Sequence, residues 1–340
     1  MRTTTVKILG APVLALLSLA APVHGAEPPA GPPPPVEIPT RYDEHRWLVT
    51  PVTKGGETLL LYTDSGGGMN MLFAPVADRL GPARKKIELE GQSFDTVAWE
   101  DLAPGSPVPP PGPAAPGDGR MFIVPYGGEL RQMFPPAESG QPREAGFLGR
   151  TWFADRVWTF DYPGRRLLLR SPGDVPAHDP AHRVSLGFQT GPDGRRTTHF
   201  PRIPVKIDGE TLDLLFDTGA TTALTPEALA AIGDGRPAAR AASFITASVF
   251  ARWRERHPGW KVVEKAEQGT NESMIEVPQV EIGGYPVGPV WFTRRADRNF
   301  HEYMSRMMDQ KIEGALGGSA LQYLRVTVDY PGAVAVFEKP

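Results

Sequence analysis

No cysteine occurs anywhere in the 340 residues. Disulfide staples, a thiolate nucleophile, thiolate metal ligands and lipidation through sulfur are all excluded at once. Long apolar runs are scarce as well. Residues 8–23 are mostly apolar but are interrupted by Pro12. No later segment approaches the roughly 18 continuous apolar residues that a spanning helix needs. Basic clusters are also missing: 36 Lys and Arg are scattered among 39 Asp and Glu, for a formal charge of −3. A nucleic-acid partner therefore has no electrostatic footprint. No G-x-S-x-G elbow accompanies a histidine and an acid, which removes the usual serine-hydrolase reading. His178 and His182 are four apart, but the proline-containing loop around them cannot hold the helix that would bring both to one metal.

What is present begins with an export signal. Arg2 and Lys7 flank the start of the apolar stretch, and Gly25 and Ala26 offer a small-residue cleavage site, so residues 1–26 read as a signal peptide. The mature chain is then exported, to the periplasm or the extracellular space. It is long enough to bury a large core without disulfides and to form two domains. Residues 27–44 read as a proline-rich leader, whose EPPAGPPPPV portion lacks the donors for a ladder and serves as an extended spacer. Residues 103–117 carry seven prolines and read as a long loop, not a core strand. Turn formers and charges crowd 172–199, which reads as a linker between a first lobe at 45–171 and a second at 200–340.

Short alternating β-patterns dominate both lobes. They fall at 58–63, 86–90, 95–100, 120–124, 156–161 and 166–170, then at 202–207, 211–216, 260–264, 274–282, 287–293 and 324–337. Helical patterns are fewer, at 73–80, 226–232, 243–256 and 297–309. The last of these leads straight into 314–317 and is placed to buttress it. The class expected is all-β with a few short helices.

An internal repeat organises the whole. GETLLLYTDSGG and GETLDLLFDTGA place Asp64 and Asp217 seven residues after Glu57 and Glu210. GFLG at 146–149 then leads to DYPG at 161–164, and GALG at 314–317 leads to DYPG at 329–332, with thirteen residues from Leu148 to Asp161 and from Leu316 to Asp329. Each half thus supplies one carboxylate at the end of an apolar strand. Gly66 and Gly219 let the backbones approach closely, and the hydroxyls of Ser65 and Thr218 are placed to bond across the junction. Packed with pseudo-twofold symmetry, Asp64 and Asp217 would face each other and share a proton. Asp161 and Asp329, each before Tyr-Pro-Gly, read instead as repeated structural turns in which the acid accepts backbone N–H groups.

At Phe216-Asp217-Thr218-Gly219-Ala220 the sequence resembles the aspartic proteases, and Tyr62-Thr63-Asp64-Ser65-Gly66-Gly67 resembles a less regular form of the same turn. Phe147-Leu148-Gly149 and Ala315-Leu316-Gly317 are similar to the family's apolar-apolar-Gly element, which closes a psi-shaped loop behind each acid. Leu148, Gly149, Leu316 and Gly317 are its residues here. The lobes look like compact retroviral-type domains duplicated in one chain, in the manner of single-chain retropepsin-like and pepsin-like proteins of bacteria. The resemblance implies a bilobal acid-protease fold and an endopeptidase that activates water between Asp64 and Asp217. It implies no metal and no organic cofactor, and an extended peptide or protein as substrate. It also implies a flap, for which the hairpin at 86–100 with Trp99 and the segment at 120–127 with Tyr126 are the candidates. Two acids in one chain make a monomer sufficient, although a homodimer is compatible. The glycine-rich TDSGGG turn leaves a second class open: a bilobal peptide- or protein-binding module of the same fold without turnover.

Overall fold

Three β-sheets hold nearly all of the described strands, and two of them repeat one strand order. The computed structural model describes residues 32–89, 91–112 and 119–340. Residues 1–26, expected to be a signal peptide, the start of the expected leader and residues 113–117 of the proline-rich loop lie outside the described residues.

In the first half, Leu61–Thr63 runs parallel to Gly146–Leu148, which pairs antiparallel with Met71–Phe73. That strand runs parallel to Met121–Val124, and the antiparallel strands Gln92–Val97 and Arg84–Leu89 follow. The second half repeats this sequence of senses. Glu210–Phe216 is parallel to Gly314–Leu316, then come Ser243–Thr246, Val290–Arg295, Met274–Val277 and Val262–Val263. The fold is therefore all-β and two-lobed, with pseudo-twofold symmetry.

A third, six-stranded sheet joins the halves. Val157–Asp161 pairs with Arg325–Asp329, and each also pairs with its own hairpin partner, Arg166–Arg170 or Val334–Glu338. Thr159 lies opposite Thr327, with the two hydroxyl oxygens 2.7 Å apart, at the centre of this symmetric register. Residues Pro34–Pro340 accordingly form one compact unit. Trp152 and Trp158, with ring centroids 4.4 Å apart, pack with Phe153, Phe160 and Phe216 between the shared sheet and the acid-bearing strands. All five rings are fully buried, and each contributes about 2–3 kcal/mol relative to exposure. This core fixes the platform on which the two acid turns stand.

Several expectations are corrected. The leader is not a spacer throughout 27–44: Val36–Ile38 adds to the shared sheet against Arg166–Arg170, and Thr40–Asp43 forms a hairpin with Arg46–Val49. The proline run ends at Pro35, so backbone donors return at Val36. Within the segment read as a linker, Arg183–Ser185 forms the far edge of the shared sheet, against Val334–Glu338. The pattern at 243–256 is a strand, Ser243–Thr246, followed by a helix, Ala247–Arg256. Residues 297–309 are not one α-helix but a π-helical turn, Asn299–Tyr303, followed by a 3₁₀ turn, Met304–Met307. Phe300, Met308 and Ile312 of this region do pack on Leu215 and Ala315, beside the strands that carry and back Asp217. Among the described residues no helix is long and apolar enough to cross a membrane.

Candidate functional site

Each acid sits just beyond the end of a strand whose parallel neighbour holds its backbone. Asp64 N–H donates to Leu148 O and Asp217 N–H donates to Leu316 O, both at 3.0 Å. Those neighbours are fixed in turn from a third strand. Gly149 N–H donates to Asn70 Oδ1 at 2.9 Å, and Gly317 N–H donates to Ser243 Oγ at 3.0 Å. Asn70 also donates to Thr151 Oγ1 at 3.0 Å, while Ser243 and Ser319 hydroxyls lie 2.8 Å apart. The support behind the two acids is thus the same in kind and is drawn from different residue types.

The turns then lock together. Ser65 N–H donates to Thr218 Oγ1 at 3.1 Å, and Thr218 N–H donates to Ser65 Oγ at 3.0 Å. Ser65 Oγ donates in addition to Phe216 O at 2.7 Å. Both side chains are fully buried, so the exchange takes place away from competing water. Asp64 Oδ1 accepts from Gly66 N–H at 2.8 Å, and Asp217 Oδ1 accepts from Gly219 N–H at 3.0 Å.

The glycines report how closely the carboxylates meet. A Cβ on Gly66 would lie 2.6 Å from Asp217 Cγ, and one on Gly219 would lie 2.1 Å from Asp64 Cγ. Each acid therefore occupies the space that a side chain on the opposite turn would need. Asp217 is 8 % exposed, whereas Asp64 is half-buried. Burial raises Asp64 well above the ordinary carboxylate range, and the neighbouring Asp217 charge raises it further. Burial raises Asp217 as well, against the hydrogen bonds it accepts from Asp64 and from backbone N–H groups. Two carboxylates this close disfavour ionising together, and their titration belongs to the pair.

The chain is similar to a solved aspartic proteinase. The crystal structure of the aspartic proteinase from Irpex lacteus aligns with a TM-score of 0.44 and 10 % identity, over 90 % of this chain and 97 % of that one. No family model and no curated protein matches the sequence.

Of the residues singled out from the sequence, Asp64, Ser65, Gly66, Leu148, Gly149 and Asp217, Thr218, Gly219, Leu316, Gly317 come together as one constellation. Trp99 and Tyr126 do not join it. Trp99 opens a short helix, Trp99–Leu102, after the hairpin strand has ended at Val97, and its ring is 5 % exposed within the core. Tyr126 donates its hydroxyl to Phe134 O at 2.5 Å and packs its ring 5.2 Å from Phe73. The DYPG acids form the expected turns, with Asp161 accepting from Gly164 N–H and Asp329 from Gly332 N–H, both at 2.9 Å. Burial pushes Asp161 upward, but Gly164 N–H and the Arg166 and Arg325 guanidiniums outweigh it and hold the acid below its usual range.

Sequence reasoning missed three contributors. Tyr62, seen only as an irregularity before Asp64, donates its hydroxyl to Gly219 O at 2.6 Å and lies 2.7 Å from Thr221 Oγ1, tying the first lobe to the second turn. Asn70 and Ser243 were silent because they stand at unlike distances from their acids. The second half inserts a two-stranded ribbon, Thr221–Ala223 with Ala239–Ala241, around the helix Pro226–Ile232, before its supporting strand begins.

Proposed function

We propose that the chain is an aspartic-type endopeptidase that hydrolyses peptide bonds with a water activated between Asp64 and Asp217. The observation that carries this reading is the reciprocal Ser65–Thr218 exchange, which sets two carboxylates face to face where burial raises both above the ordinary range. The ionised member of the pair draws a proton from the water, and the protonated member donates to the scissile carbonyl oxygen as the tetrahedral carbon forms. The carboxyl that took the water proton then gives it to the amine nitrogen as the C–N bond breaks, while a hydroxyl of the tetrahedral carbon returns its proton to the other carboxylate and so restores the shared proton. The aspartates act on water, so no acyl-enzyme forms. The substrate is an extended peptide held by backbone hydrogen bonds and side-chain pockets, and one chain supplies both acids. Export by the segment 1–26 would place this activity in the periplasm or outside the cell.

Cleavage of a diverse unstructured peptide library from pH 3 to 8 tests the reading. Wild type is compared with folded Asp64→Asn and Asp217→Asn variants and with a statine-type inhibitor. Turnover lost in both variants and under the inhibitor is expected. A folded wild type that cuts nothing, or variants that cut as well as wild type, would sink the proposal and leave a binding module of the same architecture.

A further inference from the structure

Arg150 follows Gly149 directly, one residue past the element that backs Asp64. The corresponding residue in the second half, after Gly317, is Gly318. A guanidinium therefore breaks the symmetry of the two halves close to the acids. Its carbon lies 4.3 Å from the centroid of Phe200. Nη1 donates to Gly67 O at 3.3 Å, and Gly67 N–H itself donates to Asp64 O at 3.1 Å. Gly68 is exposed, and even an ideal Cβ there would be 4.0 Å from Nη1. Glycine at 68 thus leaves the space beside Nη1 without a side chain.

The guanidinium is short of acceptors. Nε is buried with no hydrogen-bond partner. Burial alone lowers the Arg150 pKa, with no carboxylate opposing it. Arg202 and Arg295, also partly buried, are instead held by carboxylates, the first by Asp213 and Asp309 and the second by both oxygens of Glu267. Beside Phe200, His199 carries a second orphan, a buried Nδ1 without a partner. Burial holds that imidazole below its usual pKa, opposed by the Asp155 charge and helped by those of Arg196 and Arg150. A desolvated cation with too few acceptors is costly. A planar fork of donors fits a carboxylate best.

We propose that Arg150 forms an anion subsite beside the first acid turn and recognises a carboxylate of the bound peptide, within about three residues of the scissile bond. The inference rests on the peptidase reading. An acidic side chain and a free chain end offer the same group, and the two are separable.

The test uses one cleavable peptide core with Glu or Gln at each of three positions on either side of the scissile bond, each amidated or left as a free acid. Values of kcat/KM are measured for wild type, Arg150→Met and Arg150→Lys, and only the Glu/Gln and acid/amide ratios within each protein are compared. Reading ratios cancels any loss of folded enzyme, and methionine keeps a stem over Phe200. Wild type should favour the carboxylate about tenfold at one position or at the free terminus. The ratio should fall to about one in Arg150→Met and be partly kept in Arg150→Lys. A preference confined to the free acid assigns the subsite to the chain end. Ratios near one throughout, or a preference that survives Arg150→Met, would overturn the assignment. If wild type cuts no peptide, the peptidase reading fails by itself, and the same ratios are read as Kd by calorimetry. A carboxylate preference lost in Arg150→Met then still supports the subsite, and equal or absent binding overturns it.

Discussion

Removing the Ser65 hydroxyl should cost more than removing that of Thr218, although the two residues occupy matching positions. Ser65 Oγ makes two bonds, donating to Phe216 O at 2.7 Å and accepting from Thr218 N–H at 3.0 Å. Ser65→Ala therefore orphans two buried backbone groups. Thr218 Oγ1 accepts only from Ser65 N–H, at 3.1 Å, so Thr218→Val orphans one. A buried group left without its partner costs about 1–3 kcal/mol. Ser65→Ala is thus expected to lose about 2–6 kcal/mol and Thr218→Val about 1–3 kcal/mol. Urea unfolding at pH 5 measures both, with the midpoint shifted and the slope unchanged. The more damaging variant should also show the larger loss of peptide cleavage, because the same bonds set the separation of the acids. Equal costs, or a Ser65→Ala penalty below about 1 kcal/mol, would refute the view that this exchange holds the turns together.

Other consequences can be measured on the same protein. Gly219→Ala should lose about 1–3 kcal/mol in urea unfolding and nearly all peptide cleavage, since its Cβ would fall 2.1 Å from Asp64 Cγ. Tyr62→Phe should lose only about 1 kcal/mol, because Gly219 O still accepts from Thr221 Oγ1 at 3.0 Å; unfolding midpoints report it. The raised acids also set a sign for pH dependence. Their protonated form is favoured in the folded state, so their contribution is fully present below the unfolded pKa of about 3.9 and is lost as pH rises through the folded values. Asp64→Asn should consequently be more stable than wild type at pH 7, with the gap closing toward pH 3 in a series of urea titrations. A gap that widens toward acid would have the wrong sign.

What was legible in the sequence is what the repeat carries in short, rigid frames. The acid turns, the apolar-apolar-Gly elements and the DYPG turns each need particular residue types at fixed spacing, so both copies retained them. The supporting strand Met71–Phe73 was not legible, because it is only three residues long and forms through distant partners. Asn70 and Ser243 do one task with different chemistry and at different distances from their acids. The pattern at 243–256 misled for a related reason: Phe244 belongs to a strand and Val249, Phe250 and Trp253 to a helix, yet together they imitate one apolar stripe. At the chain start, proline content suggested a spacer as far as residue 44, whereas pairing resumes as soon as the prolines stop.

The central claim is that two halves of one chain build a single carboxylate pair sharing a proton. Titration of the carboxyl carbons of Asp64 and Asp217 by ¹³C NMR in the folded protein tests it most directly, with Asp64→Asn and Asp217→Asn assigning the signals. The account predicts that the pair releases its last proton well above the usual aspartate range, and that replacing either acid by asparagine changes the titration of the other. Two independent titrations near the ordinary aspartate value, each indifferent to the partner's substitution, would contradict it.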